Sequence, residues 1–182
     1  VFTPGSAGFS AEGADLTAQP FLYARWTNPT VRALEERLAG LEGAEDALAT
    51  ATGVAAAAAV FLTLLRAGDH LILSEICYAG IYELATRVLP DLGIAVSPCD
   101  LTDPAAVRAA LRPNTRLIHA ETPCNPILRL TDLAALSAIA REAGVLLSVD
   151  STLATPVITR PLDHGVDLVI HSLTKFMNGH GD

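Results

Sequence analysis

The sequence predicts an α/β fold, in which a mostly parallel sheet is flanked by helices on both sides. Short β-type runs alternate with helical stretches along most of the chain, as is typical of parallel sheets. The β-type runs are continuously apolar and do not alternate with polar residues, which indicates strands buried on both faces. Glycine or proline marks most of the junctions, and 182 residues are enough for one sizeable core.

The first 30 residues lack hydrophobic periodicity and contain Gly, Pro and Ser, so we expect an arm or loop there. The first helix is predicted to begin at Thr30, which can act as its N-cap, and to end near Gly43. Its apolar residues recur at helical spacing, at Val31, Leu34, Leu38 and Leu41.

A second helix is predicted to begin after Ala51, Thr52 and Gly53. The apolar run at residues 54–65 belongs to this helix. Because the run is too short to span a bilayer, we interpret it as a buried helix.

Five strands are predicted after this helix, at residues 70–73, 94–97, 116–120, 145–150 and 168–171. The helices between them are predicted at residues 79–89, 104–111 and 131–143. Ligands of such sheets gather beyond the carboxyl ends of the strands. The candidate site residues are therefore in the polar segments that follow the strands, at residues 74–78, 121–125, 150–152 and 172–175.

The formal net charge of −8 argues against nucleic acid or an anionic membrane as the main partner, because both require a basic surface. The cysteines Cys77, Cys99 and Cys124 are odd in number and widely spaced, which indicates reduced thiols in a cytoplasmic protein. No set of histidines and carboxylates has the spacing of metal ligands, so no metal site is predicted.

Lys175 follows an apolar strand and precedes glycines, where burial of a bare ammonium would be costly. The S-x-x-K spacing from Ser172 matches that of serine acyl-enzymes, but the companion motifs of those enzymes are absent. A surface lysine on a loop is the ordinary alternative. We favour a lysine that takes part in catalysis. The apolar strand before it would shield its amine from water, and a desolvated amine can form a Schiff base.

Asp150 ends a strongly apolar strand, so its carboxylate needs a cation or hydrogen-bond donors. A helix cap or a turn would satisfy it, and so would a pyridinium nitrogen. The free amides at Thr52-Gly53-Val54 could bind a phosphate group, although an ordinary capped helix explains the same residues. Tyr78 could stack on a planar ring or belong to the core.

Six segments, in one consistent order, resemble the cystathionine γ-synthase/γ-lyase family, the Cys/Met-metabolism group of fold type I pyridoxal-phosphate enzymes. They are YARWTNPT (residues 23–30), ATGVAA (51–56), CYAGIYEL (77–84), ETPCNP (121–126), VDSTLATP (149–156) and HSLTKFMNGHGD (171–182). One such segment would be weak support, but six cover most of the chain.

The resemblance implies a role for each matching residue around pyridoxal phosphate. Lys175 would bind the cofactor as a Schiff base and later transfer protons. Asp150 would pair with the pyridinium nitrogen, and Asn125 would hydrogen-bond the phenolate oxygen of the ring. Tyr78 would stack on the ring and act as an acid or base toward the leaving group.

The resemblance also implies that the phosphate is held by the amides of Gly53 and Val54 and by the hydroxyls of Ser172 and Thr174. In this family the residues at Tyr23 and Arg25 reach the phosphate of a neighbouring subunit. The resemblance therefore implies a dimer, usually within a homotetramer, in which residues 1–30 form an arm and residues 31–182 a pyridoxal-phosphate-binding domain.

The sequence departs from the family pattern at Thr52, Val54, Ala79 and Ile81, and the last two leave the substrate open. Family members also continue into a carboxy-terminal domain, so the domain is expected to be incomplete at both ends. The implied activity is a carbon–sulfur lyase acting on cystathionine or methionine. A γ-replacement enzyme, namely a cystathionine γ-synthase or an O-acylhomoserine sulfhydrylase, and a non-catalytic interaction module are the alternatives.

Overall fold

The computed structural model describes residues 24–25 and 27–180, and the chain divides into two units between Ala49 and Thr50. In the first unit, helix α1 spans Pro29–Glu42. The second unit, from Thr50 onward, contains the sheet and the other helices. The predicted division into an arm of residues 1–30 and a cofactor-binding domain of residues 31–182 stays a prediction.

Helix α1 begins two residues earlier than a cap at Thr30 predicts, because Asn28 is its N-cap. The Asn28 side-chain oxygen accepts hydrogen bonds from the amides of Thr30 and Val31, at 2.9 and 3.3 Å. Proline is favoured at the first position of a helix, which explains why Pro29 starts it. The predicted end is confirmed, since Gly43 caps the helix in the left-handed conformation with φ of 72°.

The five predicted strands are all present, with bounds shifted by one or two residues. They are β1 His70–Ser74, β2 Ala95–Cys99, β3 Thr115–Glu121, β4 Leu146–Asp150 and β5 Leu168–Ile170. Their order in the sheet is β2-β1-β3-β4-β5, and every neighbouring pair is parallel. The predicted fold class is thereby confirmed for the part of the chain that these strands form.

The strand order reverses between β1 and β3. The chain passes from β1 to β2 on one side of the sheet and then returns to form β3 on the other side of β1. A reversal of this kind opens a crevice beyond the carboxyl ends of the two strands, where ligands of α/β proteins bind. The topology therefore favours the segments after β1 and β3 as parts of a site.

Helices cover both faces of the sheet, as the sequence predicts. Those of the second unit are α2 Gly53–Leu64, α3 Ala79–Glu83, α4 Leu89–Asp91, α5 Pro104–Ala110, α6 Leu133–Ala143 and α7 Thr155–Ile158. A π-helical turn at Leu84–Val88 joins α3 to α4, and a 3₁₀ turn lies at Pro161–His164. Helices α5 and α6 pack on one face of the sheet, and α2 to α4 pack on the other.

The prediction that the whole apolar run of helix α2 is buried is wrong. Ala57 and Phe61 are buried against the sheet, but Leu62 is 49% exposed. Only one face of a helix can turn toward the sheet, and the alanine-rich sequence gives the other faces little area to bury. Among the described residues no helix is both long enough and apolar enough to cross a bilayer.

Replacement of Phe61 by alanine should destabilise the protein by about 3–5 kcal/mol, because this ring is completely buried in the core. The matched control is Leu62→Ala on the same helix, which should cost about 1 kcal/mol or less because Leu62 is half exposed. Urea unfolding of the full-length protein measures both. Equal costs for the two variants would contradict the burial of this face.

Candidate functional site

A cleft of about 180 Å³ lies at the carboxyl ends of β1, β3 and β4 and beside the segment that follows β5. Eight of the residues selected from the sequence line it: Gly53, Val54, Tyr78, Asn125, Asp150, Ser172, Thr174 and Lys175. Glu121 and Thr152 also line it. Of the other two selected residues, Arg25 is exposed in the first unit, and Tyr23 lies outside the described residues.

The amino-terminal end of α2 forms one wall of the cleft. Thr52 is its N-cap, and its hydroxyl accepts a hydrogen bond from the amide of Ala55 at 3.0 Å. Gly53 lies so close to Ser172 that a β-carbon there would be 2.9 Å from the β-carbon of Ser172. First-turn amides and a serine hydroxyl thus face the same space, which is an arrangement suited to an anion.

Asp150 is buried at the end of β4, with 7% of its surface exposed. Its Oδ1 accepts hydrogen bonds from the amide and the hydroxyl of Thr152, at 3.0 and 2.5 Å. The Thr152 hydroxyl in turn accepts a hydrogen bond from the amide of Ser172 at 2.8 Å. The carboxylate is therefore held in a local turn and is connected through Thr152 to the segment that carries Lys175.

Glu121 is a second buried carboxylate, and it is paired in register with Asp150 on the neighbouring strand. Its Oε2 accepts a hydrogen bond from the amide of Tyr78 at 2.6 Å, and its Oε1 accepts one from the amide of Asn125 at 2.7 Å. Burial raises the pKa of Glu121, and the charge of Asp150 adds to the increase. Two adjacent buried carboxylates make this part of the cleft favourable for a cation.

The sequence pattern assigned no role to Glu121. The available signal was its position, because Glu121, like Asp150, is an acidic residue at the carboxyl end of a predicted strand. Neither carboxylate forms a salt bridge within residues 24–25 and 27–180. A pyridinium nitrogen is a plausible partner for Asp150 from the sequence alone, whereas the backbone partners of Glu121 follow only from the folded chain.

Tyr78 belongs to the cleft and not to the core, since 46% of its surface is exposed. Its ring lies over Gly80, where a β-carbon would be 2.8 Å from the ring atom Cε1. The same β-carbon would lie 3.3 Å from the side chain of Val54. The absence of a side chain at Gly80 thus provides the room in which the tyrosine ring lies beside α2.

Lys175 is the only lysine of the 182-residue sequence, and it lines the cleft. We expected the apolar strand to shield the amine of Lys175 from water, and for the described residues this expectation is wrong. Strand β5 ends at Ile170, five residues earlier, and turns at residues 173–178 carry the lysine to an exposed position. Its amide donates to the carbonyl of Ser172 at 3.1 Å. The S-x-x-K interpretation requires a helix that begins at the serine, and these turns do not form one.

His70 and His119 are fully buried and hydrogen-bonded to neighbouring side chains. His70 hydrogen-bonds Thr115 and Ser97 at 2.8 and 3.0 Å. His119 contacts the Ser148 hydroxyl at 2.8 Å through Nδ1, and its ring meets the edge of Phe61. Burial lowers the pKa of His119 to about 4, although Asp150 opposes the shift, so the ring is neutral at physiological pH.

Comparison with known proteins gives three similarities that each cover most of this chain. The family model described as "Cys/Met metabolism PLP-dependent enzyme" matches residues 6–182. Canavanine gamma-lyase from Rhizobium leguminosarum bv. trifolii is 50% identical over 161 residues, which are 88% of this chain and 40% of that protein. Probable cystathionine gamma-synthase from Herpetosiphon aurantiacus is 47% identical over 160 residues, which are 88% of this chain and 50% of that protein.

One solved structure is similar to this chain in fold and moderately similar in sequence. It is the crystal structure of a putative O-acetylhomoserine (thiol)-lyase from Campylobacter jejuni with N'-pyridoxyl-lysine-5'-monophosphate. The TM-score is 0.85 at 32% identity, and the match covers 88% of this chain and 39% of that one. The chain thus spans half or less of the length of these similar proteins.

Cys77 should resist alkylation at pH 8 in the folded protein. Its pKa is raised to about 12 by burial and by the charges of Glu121 and Asp150, so almost none of it is the reactive thiolate. Iodoacetamide labelling followed by peptide mass spectrometry measures this in native and urea-unfolded samples. A Leu62→Cys variant, with its thiol on the exposed side of α2, is the positive control. Native labelling of Cys77 as fast as of the new cysteine would contradict its burial.

Proposed function

The chain belongs to the Cys/Met metabolism family of PLP-dependent enzymes, and on that premise we propose that it is the cofactor-binding part of a carbon–sulfur lyase of sulfur amino-acid metabolism. The observation that carries the proposal is the convergence of three kinds of group in one cleft. They are the amine of Lys175, the buried carboxylate of Asp150 and the anion-binding wall at Gly53 and Ser172.

The residues of the cleft fit pyridoxal phosphate. Its phosphate is an anion, and the first-turn amides of α2 with the hydroxyls of Ser172 and Thr174 are suitable donors. Its protonated ring nitrogen is a cation, and the buried carboxylate of Asp150 is a suitable partner for it. Its aldehyde requires an amine, and Lys175 is the only lysine of the chain.

When bound, pyridoxal phosphate supplies an electron sink for the electron pair released at the α-carbon of an amino acid. Lys175 would hold the cofactor through its side-chain amine, and its Nζ would take the α-proton of the substrate. Asp150 would keep the ring nitrogen protonated, and Asn125 would donate a hydrogen bond to the phenolate oxygen. Tyr78 would stack on the ring, and its hydroxyl would move a proton to or from the leaving group.

We favour elimination at the γ-carbon or β-carbon, which with uptake of water yields a thiol, a keto acid and ammonia. The similarity to a canavanine gamma-lyase supports a lyase. The similarity to a probable cystathionine gamma-synthase and to a putative O-acetylhomoserine (thiol)-lyase supports γ-replacement as the second candidate. Product analysis with cystathionine, methionine and O-acylhomoserine distinguishes the two.

We further propose that the protein assembles as a homo-oligomer, a dimer of dimers, in which Tyr23 and Arg25 complete the phosphate site of a neighbouring subunit. The exposed position of Arg25 is compatible with that role. A cytoplasmic location is supported by the three cysteines, which are all buried free thiols. Sedimentation of the full-length protein tests the assembly.

Reduction with borohydride in the presence of pyridoxal phosphate should fix the cofactor on Lys175. Peptide mapping by mass spectrometry of the full-length protein locates the adduct, and visible absorbance reports binding before reduction. Lys175→Arg is the matched control, because it keeps the positive charge but an arginine side chain does not form an imine. A wild-type protein with no adduct on Lys175 would contradict the catalytic proposal and favour a non-catalytic interaction module.

Replacement of Gly53 by alanine should weaken binding of pyridoxal phosphate by about tenfold or more. The added methyl group would force Ser172 away from α2, at an overpacking cost of roughly 1–3 kcal/mol. Gly40→Ala, in helix α1, is the control, since a β-carbon there meets no atom within 4 Å. Absorbance titration measures the affinity of both variants. Unchanged affinity in the Gly53 variant would refute the close approach at this wall.

A further inference from the structure

We infer that Glu121 is a positioning residue, which holds the segments of Tyr78 and Asn125 in place around the cofactor; this inference rests on the proposed function. Tyr78 follows β1, and Asn125 follows β3, so the two residues come from separate connections on either side of the strand-order reversal. Both of their backbone amides donate to the one carboxylate of Glu121. A single side chain thereby fixes the spacing between the two connections.

The chemistry of the contacts requires a carboxylate at this position. Each oxygen of Glu121 accepts one backbone N–H, at 2.6 and 2.7 Å, and only 5% of the residue is exposed. A glutamine has one oxygen and one NH₂ group, so it would oppose a donor to one of the two amides. An aspartate keeps both oxygens but is one methylene shorter, so it cannot reach both amides without movement of a strand end.

Proton transfer by Glu121 itself is the less favourable role. Both oxygens are already engaged by the backbone amides of Tyr78 and Asn125. Backbone hydrogen bonds of this kind stabilise the charged form and oppose the effect of burial on its pKa. The carboxylate therefore acts on the reaction through the residues that it holds.

Two connections that diverge from neighbouring strands also need an external link. Tyr78 has no side-chain cap partner at the start of α3, and its conformation depends on the room at Gly80. Asn125 lies in a turn segment at residues 122–127, outside any helix or strand. Glu121 supplies the link, because it is anchored in β3 and within hydrogen-bonding distance of both.

The first test is amide hydrogen exchange of the cofactor-free, full-length protein. Glu121→Gln should accelerate exchange by about tenfold or more at the amide of Tyr78, of Asn125, or of both, since an unsatisfied buried donor is costly. Asp167→Asn is the matched control, because Asp167 also accepts a backbone amide, that of Leu147, but at the opposite end of β4. Unchanged exchange at both amides would overturn the inference.

The second test is a double-mutant cycle on the dissociation constant of pyridoxal phosphate. Glu121→Gln alone should raise the constant by about tenfold to a hundredfold. In an Asn125→Ala background the same change should raise it by a clearly smaller factor, because one of the groups that Glu121 positions has gone. A residue that only maintains the fold would give equal factors in both backgrounds, and that result would overturn the inference.

The adduct on Lys175 and the affinity of the Glu121 variants together distinguish a failure of this inference from a failure of the proposed function and from misfolding. If the wild-type protein forms no adduct on Lys175, the proposed function fails and the positioning role falls with it. If the adduct forms and Glu121→Gln has wild-type affinity, only the positioning role fails. Should Glu121→Gln not fold, Glu121→Asp replaces it in both tests with the same expected directions, because it keeps the charge and loses the reach.

Discussion

Glu121 and Asp150 are paired in register on neighbouring strands, and both are almost inaccessible to water. Two carboxylates so placed repel each other and lose hydration, so each must be stabilised by donors from nearby segments. Glu121 takes two backbone amides, and Asp150 takes the amide and hydroxyl of Thr152. The connections after β1, β3 and β4 supply these donors, and the cleft lies between those connections.

The sheet and most of its helices could be predicted because burial on both faces leaves an unbroken apolar signal in a strand. The same reasoning located the polar segments beyond each strand, and six residues chosen from them line one cleft together with Gly53 and Val54 of α2. Strand ends were less accurate, since a ladder hydrogen bond and not hydropathy decides whether Ser74 or Cys99 belongs to its strand. Local propensity cannot supply that information.

What the sequence could not reveal depends on contacts between segments far apart in the chain. The role of Glu121 requires two amides, at Tyr78 and Asn125, that only the fold brings together. The exposure of Lys175 depends on turns after β5 that carry no hydrophobic pattern. The N-cap of helix α1 is Asn28 and not the predicted Thr30, because Pro29 is suited to the first helical position.

The presence of one lysine against eleven arginines has a consequence for chemical selectivity. A guanidinium does not lose its proton near neutral pH, so arginine does not form a stable imine with a simple aldehyde. An aldehyde that diffuses along these 182 residues therefore meets a single side-chain amine, and that amine lies in the cleft. The other cationic side chains of these 182 residues, apart from histidine, are guanidinium groups, so Lys175 is the one side chain that can form a stable imine with a simple aldehyde.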